Sequence, residues 1–180
     1  MSRPVDRRPT SLHSDTTRLR KPKKGDGAAV WNLISECKPL DENSMYCNLL
    51  QCDHFADTCI LAEKGGEVVG WVSGYRVPHD PDTLFVWQVA VSPAARGESL
   101  GRRMIDALLS REACRGVRQI QTTITEDNDA SWALFTRFAE RKGASLDHET
   151  HFCRDCHFDG EHDTERMVTI RLPEALRKVA

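Results

Sequence analysis

The run Thr83–Met104, TLFVWQVAVSPAARGESLGRRM, constrains this chain more than any other: an apolar strand breaks into a turn of small residues and restarts as an amphipathic helix. Thr83 to Val91 is apolar on both faces except at Gln88, which predicts a buried central strand rather than an edge. The Arg96 to Gly101 turn and the first turn of the following helix carry backbone N–H groups with no intrahelical partner, and the aligned peptide dipoles place partial positive charge there. Such a turn is a ready site for an anion such as a pyrophosphate. An ordinary strand-turn-helix crossover with a surface Arg would show the same glycine pattern, so the neighbouring elements must decide between them.

Those neighbours alternate. Thr17 to Lys21 reads as a short strand, Asp26 to Cys37 as a helix with Val30, Leu33 and Ile34 on one face, and Ser44 to Gln51 as a second helix after the loop Lys38 to Asn43. Thr58 to Glu63 and Glu67 to Tyr75 form a hairpin around Gly65-Gly66, whose glycines tolerate positive φ. Pro78, Asp80, Pro81 and Asp82 break the chain before the central strand. Beyond the turn, Leu100, Met104 and Leu108 repeat at helical spacing to about Arg115. Arg118 to Thr123 is a strand, Asp127 to Lys142 a helix with Ala130, Leu134 and Phe138 in register, and Met167 to Leu172 a last strand. No internal repeat is present.

The 180 residues, 39% hydrophobic, suffice for one domain with a sizeable core, and no stretch is long or apolar enough to span a membrane. Residues 1 to 24 carry a net +6 and the remainder −8. We expect residues 1–16 to be a disordered basic tail and 17–180 a single domain. The tail lacks interleaved aromatics and no nucleic-acid module follows it, so neither nucleic acid nor membrane is an expected partner. The acidic remainder favours a cationic substrate. Seven Cys, an odd count, with no apolar signal-peptide core predict free thiols and a cytoplasmic location.

Arg96, two residues, position 99, one residue, then Gly101 resembles the pyrophosphate loop of the GCN5-related N-acetyltransferases, which hold acetyl-coenzyme A. Members usually carry Gly where this chain has Ser99; a Ser still exposes its N–H if its backbone is right-handed helical or extended. The order of elements also resembles that family, implying an α/β (α+β) acetyltransferase fold: a mixed central sheet flanked by helices, with splayed strands 4 and 5. The pantetheine arm would lie in that gap against Val89, Ala90 and Val91. The resemblance implies a cofactor site of Val89, Ala90, Val91, Arg96, Gly97, Glu98, Ser99, Leu100, Gly101, Arg102 and Asn128. Where members often have a Tyr to protonate the leaving thiolate, this chain has Phe135, a core candidate.

GYRVPHDPDTLFVWQVAVSPAARGESLGRRM and EDNDASWALF, with DENSMY upstream and HFDGEHDTE near the end, closely resemble family members that acetylate a short diamino acid. The resemblance implies acetyl transfer to the γ-amine of L-2,4-diaminobutyrate in ectoine biosynthesis, by direct amine attack on the thioester, and a homodimer. It also implies a substrate site of Asp41, Tyr46, Trp87, His162 and Glu165. An alkyl ammonium titrates near ~10.4, so the attacking nitrogen needs a base or a desolvating site. Glu161, His162, Asp163 and Glu165 crowd the terminal loop as candidate bases; Glu165, at the entrance to the last strand, is the expected amine ligand and the favoured candidate, and a backbone N–H of Val89 or Val91 is the candidate oxyanion donor. Tyr46 is expected to bind substrate first and to act as an acid second.

Other readings start from different residues. The same fold could serve another small amine or a protein amino terminus. His151, Cys153, Cys156, His157 and His162 lie within twelve residues and include one Cys-x-x-Cys, so a zinc- or nucleic-acid-binding module is the non-enzyme alternative. The second Cys-x-x-Cys of common structural zinc sites is absent, and no metal is expected.

Overall fold

The computed structural model describes residues 16–174; the basic tail expected over 1–16 lies, apart from Thr16, outside them. The elements are β1 (Arg18–Arg20), α1 (Gly27–Glu36), α2 (Met45–Asp53), β2 (Ile60–Lys64), β3 (Glu67–Val77), β4 (Asp80–Val91), α3 (Leu100–Leu109), β5 (Gln119–Thr125), α4 (Asp129–Lys142), β6 (Ser145–Phe152), α5 (Arg154–His157) and β7 (Glu165–Arg171). They build one seven-stranded sheet in the order β1-β2-β3-β4-β5-β7-β6. Only β4 and β5 pair in parallel, so the sheet is mixed. One face carries α3 and α4 over Leu84, Val86, Ile120 and Ile170. The other carries α1 over Leu61, Trp71 and Ala90.

Strand β4 is central, as its apolar run predicts, but its faces are not those the run suggests. Gln88 is opposite Ser73 and Val86 opposite Gly74, so Trp87 is an extra residue without a partner on β3. This β-bulge reverses the alternation of side chains. Before it, Leu84 and Val86 face α3 and α4; after it, Val89 and Val91 take that side and Ala90 packs towards α1. In consequence Gln88 is only 7% exposed while Trp87 is 46% exposed, the reverse of what composition suggests.

β4 pairs with β5 only at Thr83, Leu84 and Phe85, whereas β5 continues along β7 as far as Thr125. The two strands therefore splay after Phe85. Ser92 donates its N–H to the Val69 carbonyl on β3, and N–H groups alternate along a strand. Those of Val89 and Val91 thus point away from β3, into the gap.

Several boundaries differ from the sequence reading. Asp80, Pro81 and Asp82 begin β4 instead of preceding it: the register slips between Arg76 and Val77, and a proline is tolerated where ladder bonds are interrupted. α3 stops at Leu109 rather than near Arg115, and a short 3-10 turn over Glu112–Cys114 buries Cys114. On α4 the buried stripe is Phe135, Phe138 and Ala139, while Ala130 is exposed. β6 and α5 were not expected; β6, SLDHETHF, is a largely exposed edge strand with no clear apolar alternation. The hairpin glycines Gly65 and Gly66 do take positive φ, 61° and 89°.

The β4–α3 turn holds a sharper departure. Ser99, the N-cap of α3, sits at φ 54°, ψ 29°, the left-handed region, so the right-handed or extended condition set for a Ser at this position is not met. The left-handed conformation costs a non-glycine residue roughly 1–2 kcal/mol. Glycine removes that cost but adds about 0.4–1 kcal/mol of unfolded-state freedom. Ser99→Gly is therefore expected to stabilise the fold by roughly 0.5–1 kcal/mol in urea unfolding; a loss of stability would contradict the strain.

Candidate active site

Two adjoining cavities of about 500 and 480 Å³ lie along the gap between β4 and β5. Val89, Asn128, Ser131, Pro39 and Leu40 line both, so the cavities meet beside β4. Their charges are opposite. Lys38, Arg96, Arg102, Arg137 and Arg141 line the first, with no carboxylate among the described residues around it. Asp41, Asp127, Glu161, Asp163 and Glu165 line the second, and it has no Lys or Arg among the described residues around it.

The first cavity is built by the turn expected to bind pyrophosphate. Arg96, Gly97, Ser99, Leu100, Gly101 and Arg102 line it, together with Val89, Val91 and Asn128. Gly97 has φ 86°, a conformation that favours glycine. A Cβ on Gly101 would lie in van der Waals contact with Leu134, 3.4 Å away, and Val89, 3.5 Å away, so branched atoms beyond it would press on both side chains. Two expected residues do not line this cavity. Ala90 is buried towards α1 because the bulge turns it away, and the Glu98 carboxylate points out to Lys64, 3.3 Å away. Arg137 and Arg141 are one helical turn apart on α4; that spacing was the available signal for these two unpredicted cations. Asn128 caps α4 by accepting the Ser131 N–H at 3.1 Å.

The second cavity gathers Asp41 from the α1–α2 loop, Trp87 from the bulge, His162 from the loop before β7, and Glu165 from β7 itself. His162 Nε2 is 3.0 Å from Asp41 Oδ2 and 4.0 Å from Glu165 Oε1, and Nδ1 is 2.8 Å from the Asp163 carbonyl. Both ring nitrogens face acceptors. The Asp163 carbonyl first, and then Asp41, raise the imidazole pKa and favour its charged form. Burial pushes the Glu165 carboxyl above the usual range, against the Thr123 hydroxyl and His162, which lower it. Glu165 Oε2 is buried with no hydrogen-bond partner, so it is an acceptor awaiting a donor. Phe135, 2% exposed, forms part of the floor.

Tyr46 is not brought to this site. It lies on α2, 69% exposed, and lines neither cavity. Gln88, Asn43 and Thr123, which do line or support the second cavity, are polar residues that the sequence reading did not select. In the Cys/His loop, Cys156 and Cys153 stand 2.8 Å apart, sulfur to sulfur. No group of three or more His, Cys, Asp or Glu among the described residues is arranged to hold a metal ion. No helix among them is long and apolar enough to cross a membrane.

A profile of the acetyltransferase (GNAT) family matches residues 27–139. An L-2,4-diaminobutyric acid acetyltransferase of Methylotuvimicrobium alcaliphilum is 49% identical over 84% of this chain and 88% of its own. One from Vibrio parahaemolyticus is 49% identical over 86% and 85%. Among solved structures, diaminobutyrate acetyltransferase EctA from Paenibacillus lautus, in complex with its substrate L-2,4-diaminobutyric acid and coenzyme A, superposes with a TM-score of 0.84. That match has 39% identity and covers 88% of this chain and 96% of that one. The chain belongs to the acetyltransferase (GNAT) family, in the branch of the L-2,4-diaminobutyric acid acetyltransferases.

Proposed function

We propose that the protein transfers acetyl from acetyl-coenzyme A to the γ-amine of L-2,4-diaminobutyrate, as a step of ectoine biosynthesis. The observation that carries this reading is the meeting, at Val89, of a cation-lined cavity and a carboxylate-lined one. The first suits the phosphates of coenzyme A: backbone N–H groups of the turn and five cationic side chains surround it. The free edge of β4 at Val89 and Val91 suits the amide-bearing arm. The second suits a molecule with two ammonium groups, and Trp87 offers a ring face and an indole N–H.

Acetyl-coenzyme A supplies the thioester and a thiolate leaving group. Glu165 Oε2 accepts a hydrogen bond from the ammonium, and its upward-shifted pKa makes it a stronger proton acceptor than an exposed carboxylate. Negative charge developing on the carbonyl oxygen meets the N–H of Val89. A thiolate whose conjugate acid has a pKa of about 8.5, by analogy with Cys, leaves without a phenol, consistent with Phe135 at the family's Tyr position. A cytoplasmic homodimer belongs to the same proposal. It is supported by seven free cysteines and by the exposed Met45, Tyr46 and Leu49 of α2.

Incubating the protein with acetyl-coenzyme A and a panel of diamino acids, polyamines and peptides, while following thiol release, tests the reaction. Turnover is expected with 2,4-diaminobutyrate; turnover with peptides alone would overturn it. Asp41→Asn and Glu165→Gln should each lower kcat/KM for the diamino acid by about tenfold or more, the loss expected for a charge-assisted hydrogen bond, with acetyl-coenzyme A binding retained.

Because the Glu165 pKa is raised by folding, the native state holds that proton more tightly than the unfolded chain. Stability from this group is highest below the unfolded value and falls as pH rises through the folded one. At pH 7 the ionised side chain is a net cost. Glu165→Gln should therefore melt no lower than the parent at pH 7 while losing activity, and a marked fall in melting temperature would contradict that assignment. Gly101→Val should raise the KM for acetyl-coenzyme A by roughly tenfold, because its added methyl groups overpack the contact with Leu134 and Val89. An unchanged KM in the folded variant would place the cofactor elsewhere.

A further inference from the structure

Asp41 is a surprising residue to find in a defined position. Its side chain is 79% exposed, and its contact is with His162. It stands on an irregular segment between α1 and α2, where nothing regular holds the backbone. What holds that segment comes from β4. Gln88, buried on the α1 side by the bulge at Trp87, donates from Nε2 to the Asp41 carbonyl at 2.8 Å. It accepts at Oε1 from Asn43 Nδ2 at 3.2 Å. The Asn43 carbonyl in turn accepts from Trp31 Nε1 at 3.1 Å. A carbonyl only accepts, so the bond to Asp41 fixes which end of the Gln88 amide faces the loop, and the opposite end is left to Asn43.

Asp41 and Glu165 sit on separate elements, with the His162 ring between them. The distance between the two carboxylates therefore depends on where the loop is held. We propose that Gln88 is a positioning residue that fixes Asp41 relative to Glu165 and so sets the length of diamino acid the site accepts. This rests on the diamino acid reading of the second cavity. Gln88 borders the second cavity, but both of its hydrogen bonds go to the loop; it acts through the loop backbone, and a loop released from it accommodates a longer chain.

The test compares the full-length protein with Gln88→Met, which keeps the volume and removes both hydrogen bonds, using 2,4-diaminobutyrate and its one-carbon-longer homologue ornithine. Expected for Gln88→Met is a KM for 2,4-diaminobutyrate raised by about tenfold, the scale of losing buried hydrogen bonds. The KM for acetyl-coenzyme A should stay within about twofold, and the preference over ornithine should narrow. In the Asp41→Asn background the same change should add little, because both act through one carboxylate. Unchanged selectivity, fully additive effects, or an equal rise in both KM values would overturn the proposal. Trp31→Phe removes only the outer bond of the network and should produce a smaller shift of the same kind. It keeps the test decisive if Gln88→Met does not fold, since unchanged selectivity there also counts against the proposal. Absence of diamino acid turnover in the parent protein would instead remove the functional reading itself.

Discussion

The single extra residue at Trp87 governs the arrangement of this site. A β-bulge in a central strand exchanges the two faces of the sheet from that point on. Upstream, β4 serves the core beneath α3 and α4; downstream, Val89 and Val91 turn to the cavity side and Gln88 turns inward beneath the α1–α2 loop. The same stretch of β4 has left β5 after Phe85. Backbone donors that a continuous sheet would consume are free there, and an aromatic ring that a regular strand would bury lines a cavity.

The second organising fact is the separation of charge. Cations converge on the cavity next to the α3 amino terminus, where helix geometry already favours an anion. Carboxylates from the α1–α2 loop, the β5–α4 turn and the segment leading into β7 converge on the other. Each cavity alone is ordinary. Side by side, sharing Val89, they set a cavity lined by Lys and Arg against one lined by carboxylates at a single point of β4.

The parts of this arrangement legible in the sequence were local. The strand-turn-helix around Arg96 and the hairpin at Gly65-Gly66 each follow from residues adjacent in the chain, and both are present. What was hidden depends on partners. An apolar run reads the same with or without a bulge, so the exposure of Trp87 and burial of Gln88 could not be seen. β6 carries charged residues because it closes the sheet as a solvated edge, which erases the alternation that marks a strand. The left-handed backbone at Ser99 goes against its residue type. Tyr46 was tied to the site by resemblance, and its place on the exposed side of α2 is set by how that helix docks.

In the proposed reaction, coenzyme A lies in the cationic cavity, the diamino acid in the anionic one, and the two meet at Val89. A crystal structure of the protein with coenzyme A and L-2,4-diaminobutyrate tests it most directly. Expected are the pyrophosphate on the Arg96–Gly101 turn, the pantetheine arm along Val89 and Val91, and an ammonium nitrogen against Glu165 Oε2. A diamino acid bound away from Glu165, or a pyrophosphate away from that turn, would contradict it.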